Sequence, residues 1–142
     1  MGMFGPLEVS ASALTAERLR LDVIASNLAN ANTTRTREGG PYRRQVVVFA
    51  PQAQTGFGWP LAERPGTGVR VVGIRPDLSP LKRVYNPGHP DADAEGYVTL
   101  PNVNPVVEMV DLIGAARAYE ANVTVINETK NMSVRALDLL RG

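Results

Sequence analysis

The placement of proline constrains the fold of this chain more than any other feature. Ten of its eleven prolines lie between Pro41 and Pro105, and nine of its thirteen glycines lie between Gly39 and Gly96. Because proline lacks an amide N–H and its ring clashes inside a helix, long helices are confined to the two ends of the chain. The sequence therefore predicts a mainly α protein, in which a short irregular β-containing insert separates two terminal helices.

The first segment, about residues 7–30, contains no proline or glycine. Its heptad-like seam steps alternately by four and three residues through Leu7, Ala11, Leu14, Arg18, Leu21, Ala25 and Leu28. A second apolar stripe consists of Val9, Ala13, Ala16 and Val23. Since a helix that is apolar on two sides cannot cover both against one partner, we expect this helix to contact more than one neighbour.

The last segment, about residues 106–140, follows Pro105, a residue suited to the first turn of a helix. Its seam runs through Met109, Leu112, Ala116, Tyr119, Val123, Ile126, Lys130, Ser133, Leu137 and Leu140. A second stripe consists of Ala118, Ala121, Val125, Met132, Ala136 and Leu139. At 1.5 Å rise per residue such a helix is roughly 50 Å long. We predict that it pairs with the first helix as an antiparallel coiled-coil core and belongs to an elongated assembly.

Asparagine recurs near both seams, although it is a weak helix former. The first helix closes with Asn27, Asn30 and Asn32, and the last contains Asn122, Asn127 and Asn131. Two interpretations stay open: amides that bond across helices and fix their register, or a frayed end and a polar face. The predicted assembly interface consists of Leu14, Leu21, Asn27, Leu28, Asn30, Met109, Leu112, Tyr119, Asn122, Val123, Ile126 and Leu137.

The middle of the chain is typical of short strands separated by turns. The β-prone runs are Arg44–Ala50, Val69–Ile74 and Tyr97–Leu100, with a loop rich in glycine and proline (Gly56–Gly68) after the first. None of these runs can build a large sheet, so we expect a small insert that leans on the helices. The predicted divisions are residues 1–34, 35–105 and 106–142.

The sequence offers little for catalysis or metal binding. It has no cysteine and a single histidine, His89, which cannot by itself form a catalytic triad or a zinc site. Residues 91–96 match the first half of a calcium loop, but Asn102 stands where a bidentate Glu is required, and Pro90 and Pro101 prevent flanking helices. We expect no enzyme, cofactor or metal. The competing enzyme hypothesis would use His89, Asp91, Asp93 and Glu95.

The charges nearly cancel, with 15 basic and 14 acidic side chains. A local basic patch of Arg35, Arg37, Arg43 and Arg44 has only Tyr42 as a nearby aromatic residue. Nucleic acid is therefore not expected as a partner, and the patch is interpreted as a solvated hinge or a contact with an acidic neighbouring subunit. We expect no membrane insertion and no cleavable signal peptide, because the sequence lacks a long apolar run and a basic n-region.

Four stretches resemble a known family. The segment SALTAERLRLDVIASNLANANT, with Asn27, Ala29, Asn30 and Thr33 at its end, is similar to the N-terminal signature of bacterial flagellar axial proteins (rod, hook and hook-associated subunits). Among these, the proximal rod proteins are similar in three later stretches: GGPYRRQVVVF, VYNPGHPDADAEGYVTLPNVN and EMVDLIGAARAYEAN. The resemblance covers nearly the whole chain apart from residues 52–64.

This resemblance implies a structural subunit of the proximal rod of the flagellar basal body, polymerising through terminal helices that form an inner coiled-coil layer. The implied partners are copies of itself, other rod proteins, the membrane-ring and rod-base proteins and, during secretion, the flagellar type III export apparatus. The implied location is the rod within the periplasm. The alternatives are another proximal rod subunit of the family or a coiled-coil adaptor that does not polymerise. Before assembly, we expect partial disorder at both ends, because two doubly apolar helices lack cover.

Overall fold

The structure, a computed structural model, describes residues 5–52 and 68–141. Its elements are, in chain order, α1 (Gly5–Ala29), β1 (Gln45–Pro51), β2 (Val69–Pro76), β3 (Lys82–Tyr85), β4 (Tyr97–Leu100) and α2 (Pro105–Arg141). The two predicted terminal helices with a small β insert between them are confirmed. Residues 53–67, which include most of the predicted loop (Gly56–Gly68), lie outside the described residues, as does the side chain of Leu140.

The ends of both helices follow from local chemistry. Pro6 lies in the first turn of α1 and Pro105 is the first residue of α2, positions where the missing N–H of proline removes no helical bond. Asn104 caps α2, since its side-chain oxygen accepts the N–H of Val106 (3.1 Å). After α1, the chain turns at Asn30, whose amide donates to the Ser26 carbonyl (2.9 Å).

The two helices pack against each other in antiparallel orientation. Asn27, in the last turn of α1, contacts Glu108, in the first turns of α2. At equal rise per residue, the start of α1 then lies level with about residue 130 of α2. The last ten or so residues of α2 therefore extend beyond the start of α1 at Gly5. We call residues 131–141 the overhang.

The face that each helix buries is next to the predicted seam. The side chains buried on α1 and α2 are Ser10, Ala16, Val23, Ile24, Asn27, Glu108, Ala115 and Thr129. Ala16 and Val23 belong to the predicted second stripe of α1, whereas Ala11, Arg18 and Ala25 of the predicted seam are exposed. On α2, Glu108, Ala115, Asn122 and Thr129 follow one another at intervals of seven. The heptad spacing is therefore present, but with polar members.

The described part of the insert contains two separate antiparallel pairs of strands. In the first, β1 pairs with β2 from Gln45 opposite Pro76 to Pro51 opposite Val69, with an irregularity between Val48 and Phe49. In the second, β3 pairs with β4. The three predicted β-prone runs are confirmed as strands. β3 was not predicted because Lys-Arg-Val-Tyr is short and half basic; pairing with β4 satisfies its backbone.

The insert packs on α1 of its own chain; the sequence predicted contact with the helices but left open whether they belong to the same subunit. The N–H of Val69 donates to the Ser12 hydroxyl (3.1 Å), which itself donates to the Val9 carbonyl (2.7 Å). The preceding Gly68 has a φ of 142° and allows this approach, because an added Cβ would lie 2.5 Å from Ser12 Oγ. No helix in the described part of the chain is long and apolar enough to cross a membrane.

Candidate functional site

A polar cluster with two buried members lies where α1 ends, β1 begins and α2 begins. We call it the polar junction and define it by Asn27, Tyr42, Arg44, Gln45 and Glu108. Asn27 and Glu108 are 1% and 0% exposed. Buried polar groups are costly unless each has a hydrogen-bond partner, so the pattern of bonds within the polar junction determines whether it can exist.

Asn27 uses all four of its hydrogen-bonding positions. Its side-chain oxygen accepts the Tyr42 hydroxyl and the Gln45 N–H, both at 2.9 Å. Its amide nitrogen donates to the Gln45 carbonyl (2.9 Å) and to Glu108 Oε2 (3.0 Å). The amide thereby gives Gln45 the two bonds that a neighbouring strand would normally give it.

Glu108 is the only charged residue among the fully buried side chains of the described residues. Its second oxygen accepts Arg44 Nε (2.5 Å). Arg44 also lies 3.4 Å from Asp111 and 3.7 Å from Asp77, so one guanidinium joins three carboxylates. Burial lowers the pKa of Arg44, but the hydrogen bond to Glu108 and the three negative charges outweigh this and hold its pKa above the ordinary value.

Asn102 extends the polar junction to the end of β2. Its side-chain oxygen accepts the Arg44 N–H (2.8 Å), and its amide donates to the Asp77 carbonyl (3.0 Å) and the Ser79 hydroxyl (2.8 Å). The backbone N–H of Ser79 lowers the pKa of Asp77, although burial opposes this shift. Together these bonds hold the base of the insert against both helices.

A second polar cluster organises the turn between β3 and β4. Asp93 Oδ1 accepts the N–H groups of Glu95 (3.0 Å) and Tyr97 (2.8 Å), and its other oxygen accepts Arg83 (2.7 Å). The pKa of Asp93 is lowered, chiefly by the hydrogen bond from the Tyr97 N–H. Burial acts in the opposite direction, and the hydrogen bond and charge of Arg83 lower the pKa further. The Arg83 guanidinium also lies 5.0 Å from the centre of the Tyr97 ring.

Asp91 connects this turn to the segment after α1. Its carboxylate accepts the Thr34 hydroxyl (2.8 Å) and the Arg35 guanidinium (2.5 Å). The Thr34 bond is the main reason why the pKa of Asp91 is lowered; burial opposes it and the charge of Arg35 adds to it. His89 is a turn residue, with Nδ1 accepting the N–H of Asp91 (3.1 Å). Within residues 5–52 and 68–141, no group of three His, Asp or Glu side chains could hold a metal ion.

Two arginines of the basic patch form ion pairs with carboxylates of their own chain. The expectation of a solvated hinge or an acidic neighbouring subunit is wrong for Arg44, whose acidic partners are its own Glu108, Asp111 and Asp77. Arg35 is exposed, yet it also binds the chain's own Asp91. Sequence separation explains the error: Arg44 and Glu108 are 64 residues apart, and no local pattern links them.

The predicted interface residues differ in their surroundings. Half-buried among them are Leu14, Leu21, Leu28, Asn30, Leu112, Tyr119, Asn122, Val123 and Ile126, while Met109 and Leu137 are exposed. Of the asparagines, Asn27 bonds across the helices. Asn30 and Asn122 instead donate to carbonyls of their own helices, those of Ser26 and Ala118.

Much apolar surface of α2 is left uncovered by residues 5–52 and the rest of the described chain. Val106, Met109, Val110 and Ile113 are between 55 and 69% exposed and, at spacings of three and four, share one face. We call this set the apolar patch; helical geometry places it opposite the face that carries Glu108 and Ala115. The overhang exposes a second set, Met132, Val134, Leu137 and Leu139.

Comparison with known proteins identifies relatives along the whole chain. A family model described as flagella basal body rod protein matches residues 7–35. Another, described as flagellar basal body rod FlgEFG protein C-terminal, matches residues 94–139. The two models thus cover α1 and α2 with β4 and leave most of the insert between them.

Three curated relatives match over nearly their full length, and each bears the name flagellar basal-body rod protein FlgC. The protein of Borreliella burgdorferi is 52% identical over 100% of both chains. That of Bacillus subtilis is 48% identical over 98% of this chain and 99% of its own. That of Escherichia coli is 44% identical over 98% of both.

Proposed function

The chain belongs to the FlgC family of flagellar basal-body rod proteins and is a structural subunit of the rod, and we propose that it polymerises through its two terminal helices to build the proximal rod. The observation that carries the proposal is the apolar patch. Val106, Val110 and Ile113 project from the face of α2 that lies away from α1.

A large exposed apolar face is unfavourable in a chain that stays alone. Each apolar side chain of this size contributes roughly 1.5–3 kcal/mol when it is fully removed from water. Contiguous exposed apolar surface is typical of protein interfaces, since monomeric proteins keep such patches small. A helix of a neighbouring subunit, laid along the patch with contacts at spacings of three and four, would cover it.

The overhang supports repeated addition of subunits. Its exposed residues Met132, Leu137 and Leu139 lie at the opposite end of α2 from the apolar patch. Two different apolar surfaces on one subunit favour heterologous contacts, which continue from copy to copy into a helical structure instead of closing as a dimer. A rod subunit requires this kind of contact.

The coarser setting follows from the family: the protein is part of the flagellar basal-body rod and assembles with other rod components. We further propose contacts with copies of itself and with the membrane-ring and rod-base proteins. Passage through the flagellar type III export apparatus and assembly within the periplasm complete the proposal. No catalytic step is part of it, in keeping with relatives that are named as rod proteins.

A coiled-coil adaptor that binds one partner without polymerising is the second candidate. It would use the apolar patch or the overhang, but not both. Sedimentation velocity at rising concentration separates the two candidates: a rod subunit forms growing species, whereas an adaptor stays at one size.

The test of the proposal is the substitution Ile113→Glu, which puts a charge in the apolar patch without touching α1. We expect the variant to keep the wild-type circular dichroism spectrum but to fail to restore swimming in a host that lacks its own copy of the gene. The control is Leu78→Glu, which puts the same charge in place of an apolar side chain that is 82% exposed and lies in the insert instead of on α2.

The control should swim like the wild type. Wild-type swimming and normal rods in the Ile113→Glu variant would contradict the proposal, because a buried helix contact does not tolerate an unpaired charge.

A further inference from the structure

We propose that the polar junction is a register lock, which selects one axial alignment of α1 on α2 and one position of the insert relative to both. Its central bond joins Asn27 to Glu108 across the two helices (3.0 Å). The lock operates within a single chain. It therefore goes beyond the proposed function and does not depend on assembly.

Other polar groups at the helix interface do not favour one register of the two helices over another. The Thr129 hydroxyl donates to the Val125 carbonyl of its own helix (2.8 Å), and the Asn122 amide donates to the Ala118 carbonyl (2.8 Å). Such groups keep their partners when one helix slides along the other.

Part of the apolar packing at the interface is equally tolerant. Two of the buried apolar side chains are alanines, Ala16 on α1 and Ala115 on α2. Small side chains leave only shallow gaps between the helices. After a slip by one turn, the next side chain along the helix can fill the same gap with little loss of contact area. Val23 and Ile24 are the larger buried members on α1, and they lie next to the polar junction. The two alanines therefore distinguish only weakly between alignments one turn apart.

Asn27 and Glu108 respond differently to sliding. A slip by one turn moves one helix by about 5.4 Å relative to the other, which is more than a hydrogen bond can span. Glu108 is 0% exposed and would lose a donor without gaining water. A buried carboxylate that lacks part of its hydrogen bonding is strongly unfavourable, so shifted alignments are selected against.

The same bonds transmit the register to the insert. Asn27 holds both backbone groups of Gln45, and Glu108 holds the side chain of Arg44. Gln45 is the first residue of β1 and Arg44 directly precedes it, so the strand can attach only where Asn27 and Glu108 meet. The alignment of the helices thereby decides where the insert sits along α1.

In some proteins, buried charged networks select one arrangement of the chain more than they add stability, and apolar replacement of a whole network can be neutral, whereas a partner left without its counter-charge is costly. After removal of Glu108, Arg44 still has Asp77 and Asp111 as partners. We therefore expect Glu108→Leu to keep its helices but to lose its single alignment.

The test measures the distance between two spin labels on the full chain by pulsed electron–electron double resonance. The chain has no cysteine, so Ala25→Cys on α1 and Thr124→Cys on α2 provide two unique sites. Both positions are exposed, and neither side chain bonds to the other helix. The labelled parent, Glu108→Leu, Asn27→Leu and two controls are compared by circular dichroism and label distance.

The parent should give one narrow distance, and Glu108→Leu and Asn27→Leu a second population displaced by about 5 Å, one helical turn. The first control, Thr129→Val, removes a buried hydroxyl that bonds only within α2. The second, Glu108→Gln, removes the charge and one acceptor, but its remaining oxygen can still accept the Asn27 amide, while Arg44 keeps Asp77 and Asp111. Both controls should keep the parent distance.

Three results would overturn the lock. The first is a single parent distance in Glu108→Leu or Asn27→Leu. The second is equal broadening in either control, because the bond between the helices would then not be the selecting contact. The third is loss of helix in both leucine variants while Thr129→Val folds, because the network would then act on stability instead of alignment.

Discussion

Single polar residues in this chain organise backbone. Asp93 holds the N–H groups of Glu95 and Tyr97, Asn104 caps α2, and Asn27 replaces a strand neighbour for Gln45. In each case a short side chain supplies an acceptor where the chain turns or an element begins, which is the usual role of Asp and Asn.

Acid should weaken the link between the β3–β4 turn and the segment after α1. Because the folded chain lowers the pKa of Asp91 from its ordinary value of 3.8, the carboxylate stabilises the fold above that pH, and this stabilisation is lost as pH falls through the lower, folded value. Thermal unfolding between pH 6 and 2 should therefore show a smaller acid-induced loss for Asp91→Asn than for wild type. Asp138→Asn, at an exposed end of α2, should follow wild type. Parallel curves for all three proteins would refute the role given to Asp91.

Gly96 should be sensitive to the smallest side chain. Its φ is +82°, and an added Cβ would lie 2.9 Å from Tyr85 Cε2. Gly96→Ala is expected to destabilise the fold by about 1–2 kcal/mol from the backbone conformation alone, seen as a lower midpoint of thermal unfolding. Gly88→Ala is the control, because its nearest atom, Asn86 Oδ1, is 3.9 Å away. Equal midpoints for the two variants would contradict this expectation.

At the scale of elements, proline placement was sufficient to locate both helices, and β-prone runs located three of the four strands found among the described residues. The seam was harder to predict. Hydrophobicity favoured Met109 and Ala116, whereas the buried face of α2 contains Glu108 and Ala115, one position earlier in each case. Glu108 can be buried only because Asn27 and Arg44 satisfy it, and partners so distant in sequence leave no local signal.

At the end of the insert that lies away from the polar junction, the contact with α1 depends on few hydrogen bonds. Ser12→Ala removes the acceptor of the Val69 N–H, and an intramolecular hydrogen bond contributes about 1 kcal/mol, equivalent to roughly a fivefold change in an opening equilibrium. We therefore expect about fivefold faster amide hydrogen exchange at Val69. Thr15→Ala should leave this rate unchanged, because the Thr15 hydroxyl bonds only to Ala11 of its own helix. Identical rates in the two variants would show that the Ser12 bond does not hold the strand.

At the scale of the whole molecule, the chain is a subunit with more apolar surface than it can cover. Because the helices pair with each other, we now expect disorder in the free chain only in the helical segments that pack against no other described element. The overhang is the clearest of these, because α1 begins level with about residue 130. Helices gain most of their stability in water from packing, so an uncovered end should fray.

Circular dichroism should therefore detect less helix in the dilute monomer than the 25 residues of α1 and 37 residues of α2. The signal should rise as the chain assembles, because neighbouring subunits bury the overhang and the apolar patch. A dilute monomer with its full helix content and resistance to proteases at both ends would contradict this expectation.

The central claim is that assembly occurs through helix faces left open by the pairing of α1 with α2. A density map of the chain in its assembled rod tests this most directly. We predict an antiparallel pair of helices in each subunit, with a neighbouring helix packed on Val106, Val110 and Ile113. Terminal helices that lie apart and unpaired, or an apolar patch that faces water in the rod, would contradict the account.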